Sequence, residues 1–136
     1  MATILIVDDD PDFIEVTRTF LRKAGFETDE AATPDTALEK IGAGGYDLVI
    51  LDVMMPDGFE GFEVARAIRE DLDMRELPVL MLTSLREAKK IPYRFAPDSD
   101  YLPVDVFLEK PVPPELLVET VQEMLGERRE NPEYPL

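Results

Sequence analysis

The fold is decided by the stretch Tyr46-Asp47-Leu48-Val49-Ile50-Leu51-Asp52, in which an apolar run stops at a carboxylate. Such a run is typical of a strand buried on both faces of a parallel sheet. Two further runs have the same form: Ile4-Leu5-Ile6-Val7 leads into Asp8-Asp9-Asp10, and Val106-Phe107-Leu108-Glu109 leads into Lys110. In open α/β sheets, ligands bind at the carboxyl ends of the strands. Acids and a lysine at three such ends indicate a metal-assisted phosphoryl acceptor.

Strand-like and helix-like segments alternate along the whole chain. The pattern predicts an α/β fold, a doubly wound five-stranded parallel sheet of order 2-1-3-4-5 as in flavodoxin-like folds. The order places the first and third strands side by side, so we expect Asp8, Asp9 and Asp52 to meet. The predicted strands cover residues 3–7, 26–31, 47–51, 77–82 and 104–108, and the predicted helices start after Asp10, after Thr33, near Phe59 and near Pro113.

Composition narrows the chemistry. The 136 residues suffice for one domain, and a formal net charge of -16 argues against binding nucleic acid. The chain has neither cysteine nor histidine, which excludes thiol and Ser-His-Asp catalysis and leaves hard oxygen ligands for a metal, favouring Mg²⁺. No apolar segment is long enough for a membrane span, and the start does not resemble a signal peptide, so we expect a cytoplasmic protein.

The residues at the strand ends suit one another chemically. Clustered carboxylates repel one another unless a cation or a proton is present. A carboxylate such as Asp52 can act as a nucleophile toward a phosphoryl group, Lys110 would give the product a fixed positive charge, and Thr83 would donate its hydroxyl. Taken singly, each residue has a plainer interpretation: a helix cap for Asp10, a loop acid for Asp52 and a surface lysine for Lys110.

Through these motifs the chain resembles the receiver domain of two-component response regulators, the CheY-like family. The resemblance extends over residues 2–126, and we expect a receiver domain at 1–126 followed by a charged tail at 127–136. The motifs that carry it are Ile4-Leu5-Ile6-Val7-Asp8-Asp9-Asp10-Pro11, Asp47-Leu48-Val49-Ile50-Leu51-Asp52-Val53-Met54-Met55-Pro56, Met81-Leu82-Thr83-Ser84 and Leu108-Glu109-Lys110-Pro111.

The resemblance implies that Asp52 accepts a phosphoryl group from a sensor histidine kinase or a histidine phosphotransfer protein, which acts in trans because this chain has no histidine. It implies Mg²⁺ bound by Asp9, Asp52 and the Met54 carbonyl, with Asp8 assisting through water. Thr83 and Lys110 would contact the phosphoryl group, Thr83 and Phe107 would form the switch, and the bond before Pro111 would be cis. Such a domain is not an enzyme, and has at most weak self-phosphorylation and self-dephosphorylation activity.

Phe107 is open to a second interpretation, as a simple packing residue. The loop at 56–61 holds one residue more than is usual in the family. Met54 and Leu85 stand where family members tune hydrolysis and are both apolar, so we predict slow self-dephosphorylation.

The segment between Thr83 and Lys110 departs most from the family pattern. Three prolines lie within 92–103, so we expect a shortened or irregular fourth helix, at most over 85–90, followed by irregular chain. The face formed by 84–109 would dock a downstream protein; alternatively, this loop packs on its own aromatic residues. We expect a monomer or a phosphorylation-dependent homodimer.

Two other functions compete with a stand-alone phosphoacceptor that signals through protein–protein contacts. A degenerate receiver would act as a phosphorylation-independent docking module. A phosphatase of the haloacid-dehalogenase type would need a second acid two residues after its nucleophile, where this chain has Met54.

Overall fold

The computed structural model describes residues 2–52, 60–74, 76–84 and 105–126. Within these ranges no helix is both long and apolar enough to cross a membrane. The predicted short helix at 85–90, the chain at 91–103 and the tail at 127–136 lie outside the described residues, as does most of the 56–61 loop. The elements are β1 (Thr3–Val7), α1 (Pro11–Lys23), β2 (Glu27–Ala31), α2 (Pro34–Ala43), β3 (Leu48–Asp52), α3 (Glu60–Glu70), β4 (Val79–Ser84), β5 (Val106–Lys110) and α4 (Pro114–Met124).

The five strands form one parallel sheet in the order β2-β1-β3-β4-β5, which confirms the predicted topology. The last three strands end later than predicted. In the register, Asp52 pairs with Leu82 and Ser84 pairs with Lys110. Ladder hydrogen bonds join backbone groups, so a polar side chain does not end a strand. After Lys110 comes Pro111, which lacks an N–H and therefore cannot donate to the ladder.

The sheet separates two apolar cores. One lies under α2 and α3, where side chains of β3 such as Val49 and Leu51 pack against Phe62. The other lies under α1 and α4, where Leu48 and Ile50 pack with Leu117. Because successive side chains of a strand point to opposite faces, β3 supplies both cores and is buried at every position. The predicted burial of this strand on both faces is confirmed.

The predicted starts of α1 after Asp10 and of α2 after Thr33 are confirmed, and a side chain caps each helix. Asp10 caps α1, and its side chain accepts a hydrogen bond from the Asp12 backbone N–H at 3.0 Å. Thr33 caps α2, and its hydroxyl accepts from the Thr36 N–H at 3.2 Å. In both helices a proline follows the cap at the first helical position, where the lack of an N–H breaks no helical hydrogen bond. These caps therefore set where α1 and α2 begin relative to the carboxyl end of the sheet.

The spacing of apolar residues in α1 predicts one buried stripe along the helix, made of Phe13, Ile14, Val16, Thr17, Phe20 and Leu21, and this prediction is wrong at one position. Ile14, Thr17 and Leu21 are buried, as the stripe requires, but Val16 is 48% exposed. Val16 stands two residues after Ile14, which is about 200° around the helix axis at 3.6 residues per turn. It therefore faces away from the sheet.

β2 is an edge strand, as its polar sequence predicts, and it is tied to the sheet by side chains. The Tyr46 hydroxyl donates to Asp29 Oδ2 at 2.5 Å, and the Lys40 ammonium donates to Asp29 Oδ1 at 3.0 Å and to the Glu30 carbonyl at 2.7 Å. The hydrogen bond from Tyr46 lowers the pKa of Asp29. Loss of hydration, together with Asp29, raises the pKa of Tyr46 to about 12.

Arg69 ties the end of α3 to the starts of β4 and β5. Its guanidinium donates to the carbonyls of Met74 at 2.9 Å and Leu77 at 2.6 Å, and to Asp105 Oδ2 at 2.8 Å. The same Asp105 oxygen accepts from the Val79 N–H at 2.8 Å. These contacts hold the entry to β5 and so support the strand that carries Lys110.

Candidate functional site

Three charged side chains lie on the same face of the sheet, at the carboxyl ends of its strands. Asp52 ends β3 and Lys110 ends β5, while Asp8 follows β1 and continues its ladder through a hydrogen bond from its N–H to the Ala31 carbonyl at 3.1 Å. Each stands two residues after a side chain of the core under α1 and α4. Strand alternation therefore directs all three side chains to that face.

The predicted meeting of three carboxylates is confirmed. Asp8, Asp9 and Asp52 each offer an oxygen, and these oxygens lie within 4.8 Å of one another. Asp8 is 1% exposed and Asp52 is 6% exposed, whereas Asp9 is exposed to solvent. Two of the three charges are therefore largely removed from water, which makes a counter-charge at this place energetically important.

Lys110 brings a positive charge into this cluster. Its ammonium is 2.9 Å from Asp8 Oδ2 and 3.6 Å from Asp52 Oδ1, so the side chain reaches back across the ends of β4 and β3. The peptide bond between Lys110 and Pro111 is cis, as the resemblance implied. The structure thus joins Asp8, Asp9, Asp52 and Lys110 in one site.

Burial raises the pKa of Asp8, and the charge of Asp9 raises it further. The hydrogen bond and the charge of Lys110, together with a hydrogen bond from the Asp10 N–H, act in the opposite direction. Asp8 Oδ1 accepts the Asp10 N–H at 2.9 Å, and Asp8 Oδ2 accepts from Lys110. One lysine therefore faces three carboxylates, and burial outweighs its effect on the buried Asp8.

The cluster suits a small hard cation. The atoms with which it could coordinate a metal ion are all carboxylate oxygens, the ligand type that Mg²⁺ prefers in proteins. Both oxygens of Asp8 already accept hydrogen bonds, so a water molecule could link Asp8 to a cation without breaking them. Met54, whose carbonyl is the other predicted ligand, lies outside the described residues.

Thr83 and Phe107 lie on the opposite face of the sheet from Asp52 and Lys110. Thr83 is 1% exposed and comes one residue after Leu82, the register partner of Asp52. Phe107 is half-buried in the core under α2 and α3, where its ring stacks on that of Phe62 with centroids 6.3 Å apart. Thr83 and Phe107 thus lie on the same face of two neighbouring strands, an arrangement in which a movement of one side chain can affect the other. Their role as a switch stays a prediction.

One aromatic residue at the site was not recognised in the sequence. The Lys110 ammonium lies 4.3 Å from the centroid of the Phe13 ring. The helical pattern predicted Phe13 as a member of the apolar stripe of α1, and the ring does pack against that core. The available signal was proximity along the chain, because the first turn of α1 directly follows Asp8, Asp9 and Asp10.

Comparison with known proteins assigns the family. The family model described as response regulator receiver domain matches residues 4–122 of the sequence. The chain belongs to this family. The receiver is 41% identical over 88 residues to the chemotaxis protein CheY of Pseudomonas aeruginosa, which covers 64% of the chain and 68% of that relative. It is 38% identical over 100 residues to the transcriptional regulatory protein ResD of Bacillus subtilis, covering 73% of the chain and 40% of ResD.

A solved structure has the same fold and a similar sequence. The response regulator protein TrrA from Thermotoga maritima, in complex with Mg²⁺-BeF, superposes with a TM-score of 0.75 at 33% identity. The match covers 91% of this chain and 99% of TrrA. Several curated relatives are much longer than the matched part: the chain spans 40% of ResD, 36% of the heme response regulator HssR of Staphylococcus saprophyticus and 16% of the cyclic-nucleotide phosphodiesterase regA of Dictyostelium discoideum.

Proposed function

We propose that this receiver accepts a phosphoryl group on Asp52 from a phosphohistidine of a sensor histidine kinase or a histidine phosphotransfer protein. One observation carries the proposal: Asp52 is 6% exposed, lies 3.6 Å from the Lys110 ammonium, and shares its edge of the sheet with two further acids. The chain contains no histidine, so the donor lies outside these 136 residues. The domain acts as a signalling module, and its modified state is the signal.

In the proposed step a carboxylate oxygen of Asp52 forms a bond to phosphorus. The bond between phosphorus and the donor imidazole nitrogen breaks, and its electron pair stays on that nitrogen. Lys110 would turn its ammonium from Asp8 toward a phosphoryl oxygen, a small movement given its distances of 2.9 Å to Asp8 and 3.6 Å to Asp52. Thr83 would donate its hydroxyl to another phosphoryl oxygen.

Asp9, Asp52 and the Met54 carbonyl would hold Mg²⁺, and Asp8 would contribute through a water molecule. When bound, the ion neutralises negative charge on the phosphoryl oxygens during transfer. Support comes from the three carboxylate oxygens within 4.8 Å of one another and from the related TrrA structure, which is a complex with Mg²⁺-BeF. Adding Mg²⁺ would also offset the repulsion among these acids.

The signal would pass to a downstream protein through the face formed by residues 84–109, and the protein would be a monomer or a phosphorylation-dependent homodimer. Phosphorylation adds negative charge at Asp52, and a movement of Thr83 toward that charge would free space on the face that it shares with Phe107. The support is their placement: Met81 is the register partner of Phe107 and stands two residues before Thr83 on β4.

Intact-mass spectrometry after incubation with acetyl phosphate and Mg²⁺ tests the acceptor. We expect one phosphoryl group, released by hydroxylamine, on the unaltered protein and none on Asp52→Ala. Asp35→Ala is the matched control, because Asp35 is an exposed acid in the first turn of α2 and is not one of the three clustered acids. This control should be modified to the same extent as the unaltered protein.

A phosphoryl group that persists in Asp52→Ala would contradict the assignment of the acceptor. If a folded protein took no phosphoryl group from acetyl phosphate and none from a phosphorylated histidine phosphotransfer protein, the docking module without phosphorylation would become the better interpretation.

A further inference from the structure

The ammonium of Lys110 lies against an aromatic face as well as against two carboxylates. Its nitrogen is 2.9 Å from Asp8 Oδ2, 3.6 Å from Asp52 Oδ1 and 4.3 Å from the centroid of the Phe13 ring. The lysine side chain is 22% exposed, so this charge is only partly hydrated. Partial loss of water strengthens the attraction between a cation and the electron-rich face of a ring.

The two kinds of contact differ in what they demand of the ammonium. A hydrogen bond to a carboxylate weakens steeply when the donor turns away from the oxygen. Attraction to the ring depends on the cation staying within about 6 Å of the centroid, and much less on the direction of each N–H. An ammonium over Phe13 can therefore exchange one oxygen partner for another and keep the ring.

We propose that Phe13 is a positioning residue for Lys110. It holds the ammonium over the acid cluster while the ammonium moves from Asp8 to an oxygen of the phosphoryl group on Asp52. The inference rests on the proposed function of Asp52 as the acceptor. Phe13 is suited to this because it lies in the first turn of α1 and its ring packs against the core under α1 and α4, which fixes its location.

The same helix supplies a matched control. The Lys23 ammonium lies 5.8 Å from the centroid of the Phe20 ring, a longer contact made by an exposed lysine in the last turn of α1. Phe20 is half-buried, as Phe13 is, but stands about two turns further along the helix, away from the cluster. Phe20→Leu therefore removes an aromatic ring and a cation contact from α1 without touching the site.

The first measurement places the ring over Lys110 without any phosphorylation. Protons above the face of an aromatic ring resonate upfield, so the ε-methylene signals of Lys110 should lie upfield of those of exposed lysines. The shift should disappear in Phe13→Leu, return in Phe13→Tyr and persist in Phe20→Leu. Urea unfolding of each variant shows whether it is folded under the conditions of the assay.

The second measurement is the initial rate of phosphorylation by acetyl phosphate with Mg²⁺, followed by intact mass. We expect Phe13→Leu to lower this rate about fivefold, because without the ring the ammonium spends less time within reach of the phosphoryl group, by about the factor that a partly desolvated cation–ring contact sustains. Phe13→Tyr should restore most of the rate, and Phe20→Leu should leave it unchanged. In a Lys110→Met background, Phe13→Leu should have no further effect, because the ring acts through the lysine.

The outcomes separate this inference from the proposed function. An unaltered protein that takes no phosphoryl group from acetyl phosphate and none from a phosphorylated histidine phosphotransfer protein, with the upfield shift intact, overturns the proposed function and this inference with it. A phosphorylated protein whose rate is unchanged in Phe13→Leu overturns the inference alone. An equal loss of rate when Phe13→Leu is made in the Lys110→Met background also overturns it, since the ring would then act on something other than the lysine.

Discussion

Replacing Lys110 by methionine tests the electrostatics of the site in the absence of Mg²⁺. The substitution removes the ammonium 2.9 Å from Asp8 Oδ2 and keeps an unbranched apolar side chain over the Phe13 ring. Asp8 then keeps the hydrogen bond from the Asp10 N–H while its other oxygen loses the lysine. The carboxylate is 1% exposed, so water cannot replace the lost charge without local rearrangement.

The structure sets the size of the effect. Removing one partner of a fully buried ion pair lowers the free energy of unfolding by about 3–5 kcal/mol. Lys110 is 22% exposed, so solvent screens part of the interaction, and we expect a loss of about 2 kcal/mol at neutral pH. Lys40→Met is the matched control. Its pair with Asp29 has side chains 35% and 41% exposed, and we expect a loss of about 0.5 kcal/mol.

The loss should depend on pH in one direction. Burial already raises the pKa of Asp8, and Lys110 opposes that rise, so the pKa of Asp8 is higher still in Lys110→Met. As the pH falls, folded Lys110→Met therefore takes up a proton on Asp8 earlier than the folded unaltered protein does. A protonated Asp8 needs no counter-charge. The difference in stability between the two proteins should shrink as the pH falls from neutral toward the ordinary carboxyl pKa of 3.8.

Urea unfolding followed by circular dichroism, with a metal chelator present, measures both quantities. If Lys110→Met loses no more stability than Lys40→Met at neutral pH, Lys110 is not the counter-charge that stabilises buried Asp8. If the loss grows as the pH falls, an uncompensated carboxylate on Asp8 is not its cause.

Three further predictions concern the acid cluster, the tie between α3 and β5, and the edge strand. Mg²⁺ at about ten times its dissociation constant should add about 1.4 kcal/mol to the free energy of unfolding measured in urea. Asp9→Asn should abolish most of that gain at the same Mg²⁺ concentration, and an undiminished gain would show that Asp9 is not a ligand. Arg69→Met should lose about 2 kcal/mol in the same assay through its hydrogen bonds, whereas Arg66→Met, on the exposed side of α3, should lose less than about 0.5 kcal/mol. Tyr46→Phe should lower the free energy of unfolding by about 1 kcal/mol below pH 10.0. Because the pKa of Tyr46 is raised from 10.0 to about 12 in the folded protein, the stability that its hydroxyl contributes is lost as the pH rises through this range, and the difference in stability between the two proteins should narrow. A difference in stability that stays constant from pH 10.0 to about 12 would contradict this.

The sequence was sufficient for the topology and for most of the cluster. Continuous apolar runs such as 48–51 identify strands buried on both faces, and the acids that follow them must meet at one edge of a parallel sheet. It was less informative about strand ends. Asp52, Thr83 and Lys110 lie within the ladder, although the apolar pattern stops before each of them, because pairing is made by the backbone.

Contacts between distant side chains were beyond the sequence. The Arg69 guanidinium meets Asp105 across 36 positions of chain, and Phe13 meets Lys110 because the lysine side chain reaches back from β5 to the first turn of α1. Such contacts depend on how each helix is rotated on the sheet. An apolar stripe gives that rotation coarsely, as the exposure of Val16 shows.

The acidic edge strand β2 limits how a second copy of this molecule could pair with the sheet at that edge. An open sheet edge is a template onto which another chain can add a strand. Here the added strand of an identical neighbour would bring Glu27 and Glu30 close to the same two acids, at separations where like charges oppose pairing, whereas Asp29 is paired with Lys40. The net charge of -16 extends that repulsion beyond contact range. We therefore expect the resistance of this edge to fibril growth to come from electrostatic repulsion, which is strongest at low salt and neutral pH and is weakened by added salt or acid.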